Sequence, residues 1–567
     1  MGSSTITELV EFTGGMNTLL SPHLIARNEA VSLINSDIRY GSLKSIVNLD
    51  NVSSLDDGPY FYQFNRVVYS FSSFRNNVLW DGKWYWSDSV GNTGKMLANG
   101  TELDLGIAAP TVALTQSLSG SAGTGVHEGD FKYTYTFYSI DTGAESAPAP
   151  LPLYLTADGQ NIQLTGFQSL PAEATHYRLY RVGGYLPVFT LVERFTTTSY
   201  IDALDDTKVD GRLLYTLRNG VPPAGLTNLI ELNGRFYGSV GNKIYFSALG
   251  IPDSWYVSDF ITVKGKIIGL AAVPAGLLVL GQFSTSLLYG TDPVNFRLKL
   301  ISDQYGCLGP ESIAYLGDSV IWLSNKQVVM SDGYKIINVT SFKVDRVKGI
   351  IPTGAEVENE TYYLSFKPGL FPEDTLYPSD GLYPDSVLGT TGVDIGIMAL
   401  DFKRGNNFSY KIVSHDDINT IGIVDSNLHV STGNATGTQI GCDDVMYQDC
   451  LSFTNCSPYE LNVMNIDNGQ NQARLTYLSP QFIDSGYSIL KQYDKVRIRY
   501  KGDFNIKIYI TEDEVLIDRD ITSDVEVTEL FGIPNNDNLG YFIQFKIVGI
   551  GIIESVQYSW KNREMIN

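Results

Sequence analysis

What most restricts this chain is a rhythm. From Gly58 onward it runs in short stretches with β-branched or aromatic residues at alternate positions, joined in pairs by Asn-Gly, Asp-Gly and Gly-Asn dipeptides. Alternation puts every second side chain on one face of a strand, and those dipeptides supply the positive φ that two-residue hairpin turns require. "YFYQFNRVVYSFSS" and "NNVLWDGKWYWSD" open the series, and "LNGRFYGSVGNKIYFSAL", "AGLLVLGQFSTSLLYG", "LGDSVIWLSNKQVVMSDGYKII" and "INTIGIVDSNLHVSTGN" continue it. Pairs of hairpins recur about every 40 to 45 residues, the length of a four-stranded propeller blade. Thr227 to Gly433 then holds about five blades, and Tyr60 to Asp88 part of another. The 54 Gly, 35 Tyr and 26 Phe suit turns and half-buried strands rather than helical bundles. The expected class is all-β with a β-propeller core, since radial repetition leaves few open sheet edges.

Two segments break the rhythm. From Ala108 to about Asp210 the runs "YTYTFYSID" and "HYRLYRV" suggest a self-contained β-sandwich resembling a fibronectin type III module. After Cys456, "ARLTYLSPQFID", "KVRIRYKG", "FNIKIYITEDE" and "YFIQFKIVGIG" alternate cleanly and predict a C-terminal antiparallel β domain. One short helix is expected near the N-terminus, in "SPHLIARNEAVSLINSD", with Ser21 as N-cap, Pro22 in the first turn and a stripe of Leu24, Ile25, Ala30, Val31 and Ile34. The expected division is an N-terminal segment with that helix and the first propeller hairpins (1–107), the inserted sandwich (108–215), the propeller body (216–455) and the C-terminal domain (456–567).

No catalytic motif emerges. "HEGD" at His127 is not a zinc-protease helix, and neither a nucleophile elbow nor a phosphate or dinucleotide loop occurs. His176 and His429 fall on strands and His415 in a turn beside Asp416 and Asp417. "WSDSVGNTG" approaches a sialidase Asp-box, but its aspartate, Asp88, is one place early and the tryptophan is missing. Asp205 to Gly211 and Asn465 to Asn471 carry oxygen ligands without the calcium spacing of an EF-hand and read as turns. Cys442, Cys450 and Cys456 lack the C-x-x-C spacing of a zinc site. Cys307, in "SDQYGCLGPESIAYLGDSVIWLSN", has Asp303 and Glu311 rather than a base or cation nearby, and reads as a small residue in an interblade turn. No catalytic, cofactor-binding or metal residue is therefore expected, and no cofactor.

Charge points the same way. With 62 acidic against 40 basic residues the formal net charge is −22, which repels nucleic acid; a conduit that duplex DNA must slide through gains from such a surface, and charge alone is equally explained by keeping a soluble protein in solution. The N-terminus lacks the pattern of a signal peptide and no apolar run reaches bilayer length, so a protein soluble when made is expected.

The stretch "YFSALGIPDSW…IIGLA…LLYGTDPVNF…GCLGPESI…VIWLSN…SDG" resembles a block in tail nozzle proteins of short-tailed bacteriophages, the tail tubular protein B-like class. Tyr245 to Leu249, Pro252, Trp255, Gly269, Leu270, Phe283, Asp292, Pro293, Phe296, Gly306 to Pro310, Ser312, Trp322, Leu323, Ser324 and Gly333 carry the likeness. "FTGGMNTLLSPHLIARNEAVSLINSDIRYGSLKS" is similar to the start of the same proteins. The resemblance implies a non-enzymatic virion component: a ring, usually a homohexamer, below the portal and adaptor, that retains the genome, passes double-stranded DNA during ejection without gripping it, and docks tail fibres or spikes. It implies synthesis in the host cytoplasm and a final place in the viral tail. Within the irregular segment from Lys367 to Gly392, the repeat Leu376, Tyr377, Pro378 and Leu382, Tyr383, Pro384 is the candidate channel gate. A propeller acting on surface glycans and a receptor-binding tail protein are the alternatives.

Overall fold

Four-stranded antiparallel units recur six times, five of them as simple meanders. The computed structural model describes residues 6–562, except 18–19, 39–40, 46–48, 56, 326, 341–349, 369–395, 403–408, 415–417, 426, 434–458, 465–473, 484–490, 512–514 and 534–538. Blade one spans Arg75–Trp80 to Glu102–Asp104, blade two Thr227–Leu232 to Ile251–Thr262, and blade three Ile267–Val273 to Arg297–Ser302. Blade four runs from Ala314–Leu316 to Ile336–Asn338 and blade five from Ile350–Glu358 to Ser409–Ser414. Blade six takes three strands from Ile418–Val424 to Tyr459–Met464 and its outer strand, Leu49–Leu55, from far earlier in the chain. The tight turns follow the dipeptides: Asp81-Gly82 and Asn233-Gly234 all have positive φ (48°, 68°, 54° and 78°) and reverse the first two blades.

The hairpin Tyr60–Phe64 and Val67–Phe71 is a two-stranded half-blade that closes the circle. On one side Phe61 and Val68 pack with Leu55 and Val424 of blade six, and Gln63 Nε2 donates to Asp425 Oδ1 at 2.7 Å. On the other, Tyr62, Phe64, Tyr69 and Phe71 surround the fully buried Trp84 of blade one. Between full blades the seams are apolar: Tyr85, Phe236 and Trp255 between one and two, Tyr237, Leu270 and Leu288 between two and three, Leu280, Trp322 and Val329 between three and four.

Between blades one and two, Thr115–Ser119 through Tyr200–Asp202 form an inserted two-layer β unit. Leu155–Thr165 belongs to both layers: its first half pairs with His127–Tyr138 and its second with Thr115–Ser119 and Tyr200–Asp202. Tyr133, Tyr135, Phe137, Ile162, Leu164 and Tyr177 fill the space between.

Blade five does not end at its fourth strand. Ser409–Ser414 pairs with Ser32–Ile34, and the sheet runs on through Leu475–Leu478 to three long strands, Gln544–Asn562, Lys491–Tyr509 and Val515–Gly532. Thus the C-terminal sheet is also N-terminal: Ile6–Val10 and Leu43–Ser45 pair with Gln544–Asn562, while Tyr459–Met464, expected in the C-terminal domain, belongs to blade six.

The expected helix at Ser21 to Asp37 is absent. Short strands at Glu29–Ala30, Ser32–Ile34 and Ser36–Asp37 occupy its second half, Leu24 is 62% exposed and Leu33 is buried at 1%. Sheet pairing wins over local propensity here: Val31 N–H bonds to Leu478 O, and Leu33 lies opposite Tyr477. Helical elements among the described residues are three-residue 3-10 turns.

Candidate functional site

The candidate gate, Leu376 to Pro378 and Leu382 to Pro384, lies outside the described residues, as do His415, Cys442, Cys450, Cys456 and Asn465 to Asn471. The remaining singled-out residues are placed, and they do not converge. His127 is in the sandwich core, His429 inside blade six and Cys307 between blades three and four.

Cys307 sits where the sequence turns from blade three into blade four. Its N–H bonds to Gly281 O at 2.9 Å and its Sγ lies 3.2 Å from Gly309 O. Burial pushes the thiol up to about 12, with the Ser312 and Gly309 contacts opposing. A thiol so placed is protonated at neutral pH and inert. The neighbouring motif residues do packing work around it. Trp322 Nε1 donates to Gly306 O at 2.9 Å, Ser312 Oγ accepts from Leu323 N–H, and Tyr362 of blade five donates to Ser312 O at 2.7 Å. A Cβ on Gly306 would strike the backbone of Gln282 and Phe283, so glycine is needed for this close approach. Trp255 is held likewise, its Nε1 donating to Pro252 O at 2.7 Å.

Asp88 organises a turn. Its Oδ1 accepts from the N–H groups of Val90, Gly91 and Asn92 at 2.7 to 3.0 Å, and its Oδ2 from Asn92 Nδ2 at 2.7 Å. Asp205 accepts from Thr207 N–H and Oγ1, so this carboxylate too serves a turn. No group of three or more His, Cys, Asp or Glu side chains suited to a metal ion occurs among the described residues.

Two buried charge clusters escaped sequence reading. Inside the sandwich, Arg181 donates to Asp202 Oδ2 at 2.5 Å, Leu204 O at 2.9 Å and Asp206 Oδ1 at 2.6 Å; Tyr133 donates to Asp202 at 2.8 Å, and His127 Nε2 lies 3.0 Å from Asp202 O. Burial acts to raise the Asp202 carboxyl, but His127 and Arg181 outweigh it and hold the group below its ordinary value. At the sandwich root, Lys95 Nζ meets Asp253 Oδ1 at 2.5 Å, both side chains sealed from solvent, and Gly106 N–H donates to the same oxygen. Asn219 completes the joint, bonding Glu145 O of the sandwich and Ser254 Oγ of blade two, each at 2.7 Å. Lys95 and Asp253 stand 158 positions apart, so no local pattern announces the pair.

One carboxyl stands out on the innermost strand of blade five. Burial raises Glu356 from 4.5 to about 7, with a Val357 backbone hydrogen bond opposing, and its charge in turn adds to the burial that raises Tyr62 on the half-blade.

No family model matches the chain, and no curated protein does. Solved structures similar to it include BamB from Moraxella catarrhalis (9% identity, 75% of this chain and 95% of that one, TM-score 0.29). The N-terminal domain of Nup159 is also similar (10% identity, 79% and 100%, TM-score 0.23). A third is a putative oxidoreductase, described as a glucose dehydrogenase, from Thermus thermophilus (9% identity, 74% and 99%, TM-score 0.21). The propeller assignment rests on this chain's own six four-stranded units and closed seam.

Proposed function

We propose that this chain is a structural part of a bacteriophage tail: a nozzle subunit, assembled as a homohexameric ring below the portal and adaptor, that retains the genome, conducts DNA at ejection and docks fibres or spikes without catalysing a reaction. The observation that carries the reading is mechanical. One continuous sheet joins blade five to strands from early and late in the chain, Lys95 and Asp253 tie blade one to blade two, and Asn219 ties the sandwich to blade two. A closed propeller, a large sheet and a sandwich tied in this way form one connected body, which suits a wall element under the pressure of packed DNA. The net charge of −22 supports a conduit that does not hold duplex.

The test is assembly. Purified chain mixed with the adaptor of its own tail gives open rings in negative-stain images, and virions carry the chain in the tail. A chain that stays single beside the adaptor and binds or cleaves polysaccharide overturns the reading in favour of a glycan-acting tail propeller.

A further inference from the structure

An open sheet edge offers unpaired N–H and C=O groups to any strand that reaches it. Val515–Gly532 is the last strand of the large sheet; Lys491–Tyr509 pairs with one side of it, and no described residue pairs with the other. It contains neither Pro nor Lys, two common protections of an edge. Two irregularities interrupt it, since Gly502 faces Ser523 while Tyr500 faces Val527, and Ile508 faces Ile517 while Tyr509 faces Val515; they leave Ile517 to Ser523 as the unbroken run. Alternation places Asp518 and Asp520 on one face and Ile517, Arg519 and Ile521 on the other, where Arg519 is paired with Glu529 at 3.2 Å. Asp520 and Asp503, with Arg474, Asn505 and Thr522, line an open cleft of about 310 Å³. Asp520 accepts from Asn505 Nδ2 at 3.0 Å, and its charge also acts on Lys507 without a direct ion pair among the described residues. Asp518 pairs with Lys507 at 2.9 Å in the open, where such a contact is weak and exchangeable.

A complementary edge exists on the propeller. The outer strand of blade three, Arg297–Ser302, shows Arg297, Leu298, Lys299 and Leu300 all exposed. Neither cation meets a carboxylate among the described residues. Other blade edges differ: Glu102–Asp104 is acidic, Ile336–Asn338 is uncharged and short, Ile251–Thr262 carries only acidic charges, and Ser409–Ser414 is covered by Ser32–Ile34. Arg297 and Lys299 share one face at the same two-residue spacing as Asp518 and Asp520, and Leu298 and Leu300 share the other.

We propose that copies of this chain join head to tail by strand addition, with Arg297–Ser302 of one copy laid antiparallel on the Ile517 to Ser523 run of the next. Arg297 then faces Asp520, Lys299 faces Asp518, and Leu300 meets Ile517. Pairing either edge with itself sets like charges opposite one another, which is unfavourable. Two different patches give a heterologous contact, the kind that closes into rings. The proposal deepens the ring reading above, on which it rests for closure, by naming the contact between subunits.

Charge reversal tests it on the full chain. Sedimentation velocity of the parent shows self-association that weakens with added salt. The double variants Arg297→Glu/Lys299→Glu and Asp518→Lys/Asp520→Lys each associate at least tenfold more weakly while keeping the parent's melting temperature. Mixing the two restores assembly, because every contact in the mixture is again between opposite charges. A parent that is monomeric at its highest soluble concentration, reversals without effect, or a mixture that stays apart overturns the pairing. Adaptor-bound rings that form normally from either reversed variant sink the strand contact and leave the tail assignment standing. Copies that pair but form no ring with the adaptor do the opposite.

Discussion

A side chain withdrawn from water is stable there only when neutral or paired, and the propeller holds single residues of the neutral kind. Glu356 has a folded value of about 7 against an ordinary 4.5, so between those two pH values the native state keeps a proton that the unfolded chain has released. Stability therefore falls as pH rises through that window. Glu356→Gln removes the dependence, and the variant is expected to unfold at higher urea than its parent at pH 8, by on the order of 1 to 3 kcal/mol, while the two match near pH 4.5. Parallel stability profiles for the two proteins across that range would refute the assignment. Cys307 makes the same argument with a thiol. With its value at about 12 it stays protonated at pH 8, so iodoacetamide should leave the Cys307 peptide unlabelled in the folded protein and label it fully in urea. Labelling of the native chain at the rate of a free thiol would show an open site instead.

Elements are held to one another by pairs that sequence order hides. Lys95 in the third strand of blade one and Asp253 in the fourth strand of blade two form a sealed ion pair, and removing one partner strands the other charge. Lys95→Met is expected to cost about 3 to 5 kcal/mol in unfolding measurements, while a joint Lys95→Met/Asp253→Leu change recovers part of that loss. A single variant as stable as the parent would mean that the pair is hydrated. The same distance explains what could be read from the sequence. The hairpins were legible because a turn dipeptide and its flanking alternation are neighbours: Asp81-Gly82 and Asn233-Gly234 turn where they should. Ser21 and Pro22 imitate a helix start equally locally, but the strands that claim the following residues, near Leu478 and Ser409–Ser414, lie several hundred positions away. The candidate site fared likewise. Cys307 was recognisable as turn filler from its glycine neighbours, whereas the Arg181 and Lys95 clusters assemble only once the sandwich and blades have folded.

At the scale of the whole molecule, the N-terminal residues are a latch with two catches. Leu49–Leu55 supplies the outer strand of blade six, and Ile6–Val10, Ser32–Ile34 and Leu43–Ser45 are bound into the large sheet. A propeller closed by a strand from far earlier in its sequence gains cooperativity, because blade six cannot open without breaking hydrogen bonds to that strand. Deleting residues 1–55 should therefore act far from the cut. Hydrogen exchange is expected to lose protection in blade six, in the half-blade hairpin Tyr60–Phe71 and in the Leu475–Leu478 and Gln544–Asn562 strands. Blades two to four, whose seams are built from Tyr237, Leu270, Leu288 and Trp322, keep theirs. If the truncated chain protects blade six as the parent does, the circle is held shut by the half-blade contacts through Phe61 and Gln63 alone. If exchange rises evenly everywhere, the chain is a single cooperative unit and the latch has no separate catches.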